Sequence, residues 1–452
     1  MVPAPPARSP DLAPAPETDA PRVGVVVLRY GADDLTVRCL RALLADARSP
    51  SRQVVLVDNG PGPGFADRIR RELPEVVLVE PGRNLGFAAG CNAGVRALAA
   101  DIDLVALVNN DVLVSDGWLA PLADALDGDP ALGSASPKIL LEGRFHPIVV
   151  QADRTWTPGR GDGRALGWRL RGVDGAAGER LGAVQLAAGF WEPDGEGTWA
   201  GPRASLLLPD GEGGGVVTIH AEAPPGGATT LHIEPPGIEA TIAGGATTAV
   251  PIRLEGAPEP VVNNVGTDWR PDGYGVDLGF LELDHGQHDE PRDLPAWCGG
   301  AVLLHRRYLD QTGGFDERLF LYYEDLELSV RGARLGWRYR LVPSSVVQHR
   351  HAASFETDPL GISARRERNR LLVLLRHGDG ARVASALGRF LLVTLSYVRR
   401  DVVARIARGE RPTWASVRVR FAAMAGVARL GPGMLRSRWS DRRLPRPPWP
   451  DC

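Results

Sequence analysis

From Val23 to Val108 the chain alternates short, continuously apolar runs with amphipathic stretches, and this rhythm leaves few folds open. VGVVVL (Val23–Leu28), Val54–Val57, Val76–Val79 and Leu104–Val108 read as strands. Asp34–Ala45, Phe65–Leu73 and Ala88–Ala100 between them read as helices. Strands apolar on both faces and separated by helices make a parallel sheet covered on both sides. Such sheets bind ligands beyond the carboxyl ends of their strands, where Asp58 and Asp111 fall.

The rhythm breaks near Gly143. Up to Pro260, helical periodicity gives way to Gly, Pro and short alternating runs at Ala204–Leu208, Val216–Ala221, Leu231–Ile233 and Ala249–Leu254. Strands of that spacing predict a small inserted β-sandwich. Its Phe190, Trp191 and Trp199 suit either sugar stacking or a core, and the core reading is favoured. The expected organisation is a leader at 1–21, one α/β half at 22–143, the insertion at 144–260, a second α/β half at 261–360 and a basic helical region at 361–452.

Composition adds two constraints. Net charge is −3 over 452 residues, yet the chain from Gly361 on holds 20 Arg against 6 acidic residues, a local surplus of +14. An acidic body with a basic end suits an anionic partner such as a membrane surface. Val383–Val398 reads either as an amphipathic surface helix or as a packing helix with solvated arginines. No run of about 18 uninterrupted apolar residues predicts a spanning helix, and residues 1–21 lack the apolar core of a secretory signal. The expected location is the cytoplasm, peripherally on the inner face of the membrane. Cys39, Cys91, Cys298 and Cys452 show no CxxC spacing, which argues against a zinc ribbon or disulfide framework.

Four segments can carry chemistry. In VVLVDNG, Asp58 can accept hydrogen bonds from a base or ribose, or merely close an Asx-turn. In RNLGFAAGCNAG, Gly86 and Gly90 let backbone approach a ligand, and the helix start favours phosphate. In LVNNDVLV, Asn109, Asn110 and Asp111 reach the sheet rim, where an oxygen-loving cation or an ordinary turn would satisfy them. In FDERLFLYYEDLELSVR, Glu324 and Asp325 open a helix, and one could deprotonate a hydroxyl. His349 and His351 end the strand Tyr339–Val347 as ligands or as ordinary hydrogen-bonded residues.

Taken in order, VLVDNG, RNLGFAAGCN, LVNNDVLV, AWCGGAVLLHRRYLDQTGGFDERLFLYYEDLELSVR and QHRH resemble glycosyltransferase family 2, the inverting GT-A-fold enzymes, and its rhamnosyltransferase-like and galactofuranosyltransferase-like members. The resemblance covers Arg22–Lys138 and Val261–Glu356. It implies a Rossmann-like α/β fold, a nucleotide-sugar donor and a divalent cation, Mg²⁺ or Mn²⁺. By the family pattern Asp58, Asn84, Gly86, Asn92, Asn110 and Asp111 would meet the donor. Asp111 and His349 would hold the metal, Asp325 would be the general base with Glu324 beside it, and Trp297, Gly299 and Gly300 would wall the acceptor. The expected reaction moves a sugar, dTDP-rhamnose first and a UDP-sugar second, to a glycan or lipid-linked acceptor in cell-envelope polysaccharide synthesis. The alternative is a non-catalytic glycan-binding protein on the same scaffold. Leu28-Arg29-Tyr30-Gly31 departs from the family's first strand end, and Arg29 there could face a phosphate. No nucleic-acid module accompanies the basic end.

Overall fold

A computed structural model of the chain describes residues 22–50, 52–60, 62, 64–159, 163–191, 196–210, 215–350 and 359–445. The leader at 1–21 and His351 lie outside the described residues. The rest divides into two compact units. The first takes the chain up to Leu140, Asn264–Phe280 and Gly286 onward; the second takes Leu141–Asn263 and Leu281–His285.

The first unit opens with β1 (Val23–Arg29), α1 (Asp33–Ala45), β2 (Arg52–Asp58), α2 (Phe65–Glu72), β3 (Val77–Val79), α3 (Gly86–Ala97) and β4 (Leu104–Asn109). β1 pairs in parallel with both β2 and β4, and β2 with β3. Both faces are buried, as the continuous apolar runs require: Val25, Leu56 and Ala106 pack with Leu40 and Ile69. On the other face α3 comes close enough that a Cβ at Gly90 or Gly94 would collide with Leu28 or Val26. Gly90 therefore serves helix-on-sheet packing and not ligand approach. Each fully buried Val or Leu contributes about 1.5–3 kcal/mol relative to exposure.

After β5 (Val112–Val114), α4 (Leu119–Gly128) and β6 (Leu132–Leu141) the chain enters the second unit. Its strands are β7 (Phe145–Ala152), β8 (Trp168–Asp174), β9 (Gln185–Phe190), β10 (Thr198–Pro209), β11 (Val216–Glu222), β12 (Thr229–Glu234), β13 (Ile238–Ile242) and β14 (Thr247–Arg253). Their hydrogen bonds run β13-β12-β7-β10-β8-β11-β14, with β9 added on β10. The expected sandwich is thus one continuous antiparallel sheet. β13 and β14 stand at its opposite ends yet are joined by four residues, so the sheet curls back on itself around Trp168, Leu206, Ile219 and Leu231. Phe190 packs edge-on against the buried Trp168 at 5.9 Å. Trp199 sits beside Trp156, and Trp191 is exposed.

Short strands β15 (Val262–Asn264), β16 (Thr267–Trp269), β17 (Gly275–Asp277) and β18 (Arg292–Asp293) follow, then β19 (Ala301–His305), α5 (Arg306–Thr312), α6 (Glu324–Arg334) and β20 (Arg338–His349). The first unit's sheet reads β18-β20-β6-β19-β4-β1-β2-β3, with β19 antiparallel to β4 and β5 antiparallel to β20.

The basic end forms α7 (Pro359–His377), α8 (Gly380–Tyr397), α9 (Ala404–Ala407) and α10 (Ala415–Ser440), with a π turn Val398–Val403 joining α8 to α9. Leu371–Leu374 of α7, Phe390 of α8 and Ala423 and Met434 of α10 share one core with Trp269, Leu319, Leu326 and Val330. The packing reading of this region therefore holds in part. One side packs on the α/β unit, while Leu391, Leu392, Leu395, Val403 and Ile406 are exposed. Gly380–Ala407 is one helix of 28 residues, long and apolar enough by length and composition to cross a membrane. The sequence expectation of no such helix is corrected to that extent: Arg389 interrupts the apolar run without ending the helix.

Candidate active site

The carboxyl ends of β1, β2 and β4 deliver Arg29, Asp58 and Asn109 to one rim of the sheet. Arg29 does not face a ligand. It is buried, its Nη1 donates to Asp58 Oδ1 at 2.5 Å, its Nε donates to Asp33 Oδ1 at 3.0 Å, and it lies 4.1 Å over the Phe65 ring. Asp58 is thereby held in place by an ion pair that the VVLVDNG pattern did not disclose.

Asn59, next in the chain and unremarked in the sequence, organises the glycine loop. Its Nδ2 donates to Asn84 Oδ1 (3.1 Å) and Gly86 O (3.0 Å), and its Oδ1 accepts from Leu85 N at 2.6 Å. Asn84 Oδ1 also accepts from Gly86 N at 2.8 Å. Asn84 Oδ1 thus braces the loop, while the residue itself is exposed. Gly86 has φ +78°, and a Cβ there would sit 2.5 Å from Phe320 O. Only glycine tolerates both conditions. The Phe320 carbonyl accepts from Phe87 N and Ala88 N (2.6 and 3.2 Å), so these two amides at the start of α3 are already taken. The expectation of a phosphate on that helix start fails for this reason. Asn92, expected at the donor, is committed to Phe315 N and O and to Glu317 Oε1.

Asn110 donates to Gly31 O (3.1 Å) and Thr36 Oγ1 (2.8 Å), bracing the turn after β1. Asp111 meets a residue 238 positions away: His349 Nε2 lies 3.0 Å from its Oδ1. Pairing of β5 with β20 sets Val112 opposite His349 and forces this meeting. Among the described residues no third His, Cys, Asp or Glu joins them in a metal-binding group. The pair still fits a cation. Two neighbouring ligands about 2.1 Å from an octahedral ion stand roughly 3 Å apart, and two protein ligands leave positions for phosphate oxygens.

The second acidic pair opens α6. Asp325 is half-buried; its Oδ2 accepts from Gly299 N (3.0 Å) and its Oδ1 from Leu326 N (2.8 Å). Burial pushes its carboxyl above the usual range despite these amides. Glu324 is buried, its Oε2 has no hydrogen-bond partner, and burial followed by the charge of Asp325 pushes it well up. A third acid, Asp277, was not anticipated; its Oδ1 accepts from Asn264 Nδ2 at 2.8 Å, and desolvation, then the charge of Asp325, raises its carboxyl. Gly300 O accepts from Asn109 N at 2.9 Å, so the Gly299-Gly300 turn links Asp325 directly to the strand end that carries Asp111.

The approach to this pair is strained. Phe320, Tyr322 and Tyr323 have φ of 66°, 71° and 70°, which costs about 1–3 kcal/mol each for non-glycine residues. Asn369 of α7 pins the segment, with Nδ2 within 2.7–2.9 Å of the carbonyls of Leu319, Leu321 and Tyr322. Trp297 is not an acceptor wall. It is fully buried, its Nε1 donates to Tyr308 OH at 3.4 Å, and its ring stands edge-on to Phe315. Gly299 lies beside Asp325, whereas a Cβ at Gly300 would meet Cys298 and Ile139.

Comparison with known proteins agrees with the sequence. Residues 25–153 match the family described as Glycosyl transferase family 2. Over 93 residues the chain is 39% identical to N-acetylglucosaminyl-diphospho-decaprenol L-rhamnosyltransferase of Mycobacterium tuberculosis, covering 20% of this chain and 30% of the relative. Among solved structures, GalNAc-T7 with UDP, GalNAc and Mn²⁺ aligns with 80% of this chain and 49% of its own (TM-score 0.44, 14% identity). The mannosyltransferase PcManGT from Pyrobaculum calidifontis, in complex with GDP-Man and Mn²⁺, aligns with 95% and 76% (TM-score 0.36, 14% identity). Likeness at these scores decides nothing about donor or acceptor.

Proposed function

We propose that the chain is an inverting glycosyltransferase that moves a sugar, rhamnose from dTDP-rhamnose in the first instance, from a nucleotide-diphosphate donor to a lipid-linked acceptor of cell-envelope polysaccharide synthesis. The observation that carries this reading is the linkage of Asp325, through Gly299-Gly300 and Asn109, to the Asp111–His349 pair. A base and a diphosphate-neutralising pair belong on opposite sides of one anomeric carbon. The rhamnosyltransferase relative supports the choice of donor and acceptor class.

Asp111 and His349 would hold a Mg²⁺ or Mn²⁺ ion, which when bound neutralises charge on the leaving diphosphate. Asp58, fixed by Arg29, would orient the nucleoside. Asp325 takes the proton from the acceptor hydroxyl as that oxygen attacks the anomeric carbon and the bond to the diphosphate breaks. Its raised pKa makes it a stronger base than an exposed carboxylate. Glu324, protonated more readily than its neighbour, leaves the negative charge on Asp325. The exposed apolar face of α8 and α9, flanked by Arg399, Arg400 and Arg405, would rest on the inner face of the membrane.

Calorimetry of the full chain with UDP, dTDP and GDP, each with and without Mn²⁺, tests this. One nucleotide binding at least tenfold tighter with metal is the expected result. Silence with all three would overturn the reading in favour of a glycan-binding scaffold.

A further inference from the structure

The outer face of the second unit carries a row of side chains that the reaction described above does not use. Successive residues of a strand point to opposite faces of the sheet. Trp168, Leu170, Ala200, Ala221 and Ala223 face the core, so Arg169 of β8, Trp199 of β10 and Glu222 of β11 face outward. Register sets them side by side: Trp199 stands opposite Arg169, and Arg169 opposite Glu222. Trp191 completes the row. It follows Phe190, which pairs with Ala200 and turns inward against Trp168, and its N donates to Trp199 O at 2.8 Å. Trp156 adds a third indole, 6.5 Å from Trp199 and tilted 37° to it. Trp191 is 40% exposed, and Trp156 and Trp199 are half-buried.

A charged layer supports these rings. Arg169 is buried, lies 5.3 Å from the centre of the Trp199 ring, and donates from Nη1 to Glu196 Oε2 at 3.0 Å. Arg171 Nη1 donates to Glu196 O, and Arg171 Nε lies 3.2 Å from Glu222 Oε2. Two guanidinium groups thus meet two carboxylates, and the Glu196 side chain is 70% exposed beside the indoles. Arg164, 5.8 Å over the Trp191 ring, leaves a surplus of one cation. That falls short of what a polyanion or an anionic membrane attracts. The ion pairs also interrupt the continuous apolar area that a lipid or protein partner would cover.

The ligand that fits has apolar faces and hydroxyl edges. The C–H face of a sugar ring lies on the negative face of an indole, while its hydroxyls hydrogen-bond to carboxylate and guanidinium groups already held in place. From Trp191 to Glu222 the row crosses four adjacent segments at about 4.8 Å spacing, or about 14 Å in all, room for several linked rings. We propose that this face of the second unit binds a neutral polysaccharide chain. The site is built from residues of the second unit alone and does not depend on the transferase reading.

Affinity electrophoresis of the full chain tests this, in gels that hold a neutral glucan, mannan, galactan or rhamnan, or the polyanion polygalacturonate. At least one neutral polymer should retard the protein, and polygalacturonate should not. Trp191→Ala and Glu196→Gln, each at an exposed side chain, should weaken binding at least fivefold with melting curves unchanged, and Trp191→Phe should restore most of it. Trp414→Ala, at an exposed indole of the first unit, should leave binding as in wild type. No retardation by any neutral polymer, equal retardation by polygalacturonate, or retardation undiminished in both Trp191→Ala and Glu196→Gln would overturn the proposal. The same loss in Trp414→Ala would overturn it as well. So would a dimer in sedimentation that Trp191→Ala splits, since the row would then be an interface between copies. Nucleotide binding, read separately by calorimetry, reports on the transferase reading whatever the gels show.

Discussion

Asn369→Leu should separate activity from stability. The Asn369 amide holds the carbonyls of Leu319, Leu321 and Tyr322 from a fully buried position on α7. Its NH₂ has two hydrogens to give and its Oδ1 accepts from Arg368 Nε, so about two neutral hydrogen bonds are lost at about 0.5–1.5 kcal/mol each and one to a charged group at about 1.5–3 kcal/mol, with a further 1–3 kcal/mol for a carbonyl left buried and unpaired. Against this stands the strain it maintains: three left-handed non-glycine residues at about 1–3 kcal/mol each, or roughly 3–9 kcal/mol in all. The relaxation available to the freed segment is as large as the bonding lost. The variant should therefore melt within about 5 °C of wild type. The relaxed segment would carry Phe320, Glu324 and Asp325 with it. A misplacement of 1 Å at a reacting group costs about a hundredfold in rate, so sugar transfer should fall by about that factor or more. Parallel melting curves and initial rates decide it. A drop of more than about 10 °C with transfer intact would refute the idea that Asn369 holds strain for the site.

Asp325→Asn should lower transfer by about 10²–10⁴-fold while metal-dependent nucleotide binding persists. In wild type the rate should fall as pH drops through the raised pKa of Asp325, on a limb above the ordinary carboxylate value of 3.8; a flat profile down to pH 4 would remove it as the base. Glu327 is fully buried against Arg331 (2.6 Å), Arg376 (2.8 Å) and His377 (2.9 Å). Burial would raise its carboxyl, but these partners overcome it and hold it well below 4.5. Its folded pKa is depressed, so its stabilisation is present above about pH 4.5 and is lost as pH falls further toward the folded value. Glu327→Gln should cost about 3–5 kcal/mol at pH 7, read from chemical denaturation, and much less at pH 3.

The parallel sheet was legible because continuous apolar runs leave a strand no solvent face. Asp111 stood out because a polar group directly after such a run needs a partner, whereas His349 and Asp325 were singled out by the family resemblance. Trp297 was misread because an indole suits a sugar face and a core equally, and only packing against Tyr308 and Phe315 decides. Asn92 spends its amide on Phe315 and Glu317, and Asn84 Oδ1 accepts from Asn59 and Gly86, partners that residue identity does not reveal. Asn369 left a faint signal, a lone amide beside the apolar run LLVLL in a region otherwise read by its charge. Asp277 left none, since its place depends on two short strands of a return path. The curled sheet was legible as strands but not in its closure, which rests on which strands end up at the sheet's two edges.

The meeting of Asp111 with His349, and of Asn369 with the segment before Glu324, bears on how the protein comes into being. A ribosome would deliver the strand ends that carry Asp58 and Asp111 early, and Asp325, His349 and Asn369 last. A nascent chain would thus hold a folded α/β half unable to react until residue 369 had emerged. The same arrangement makes a split protein workable: two fragments divided in the turn between β13 and β14 would each be inert. Activity regained on mixing would report their reassembly.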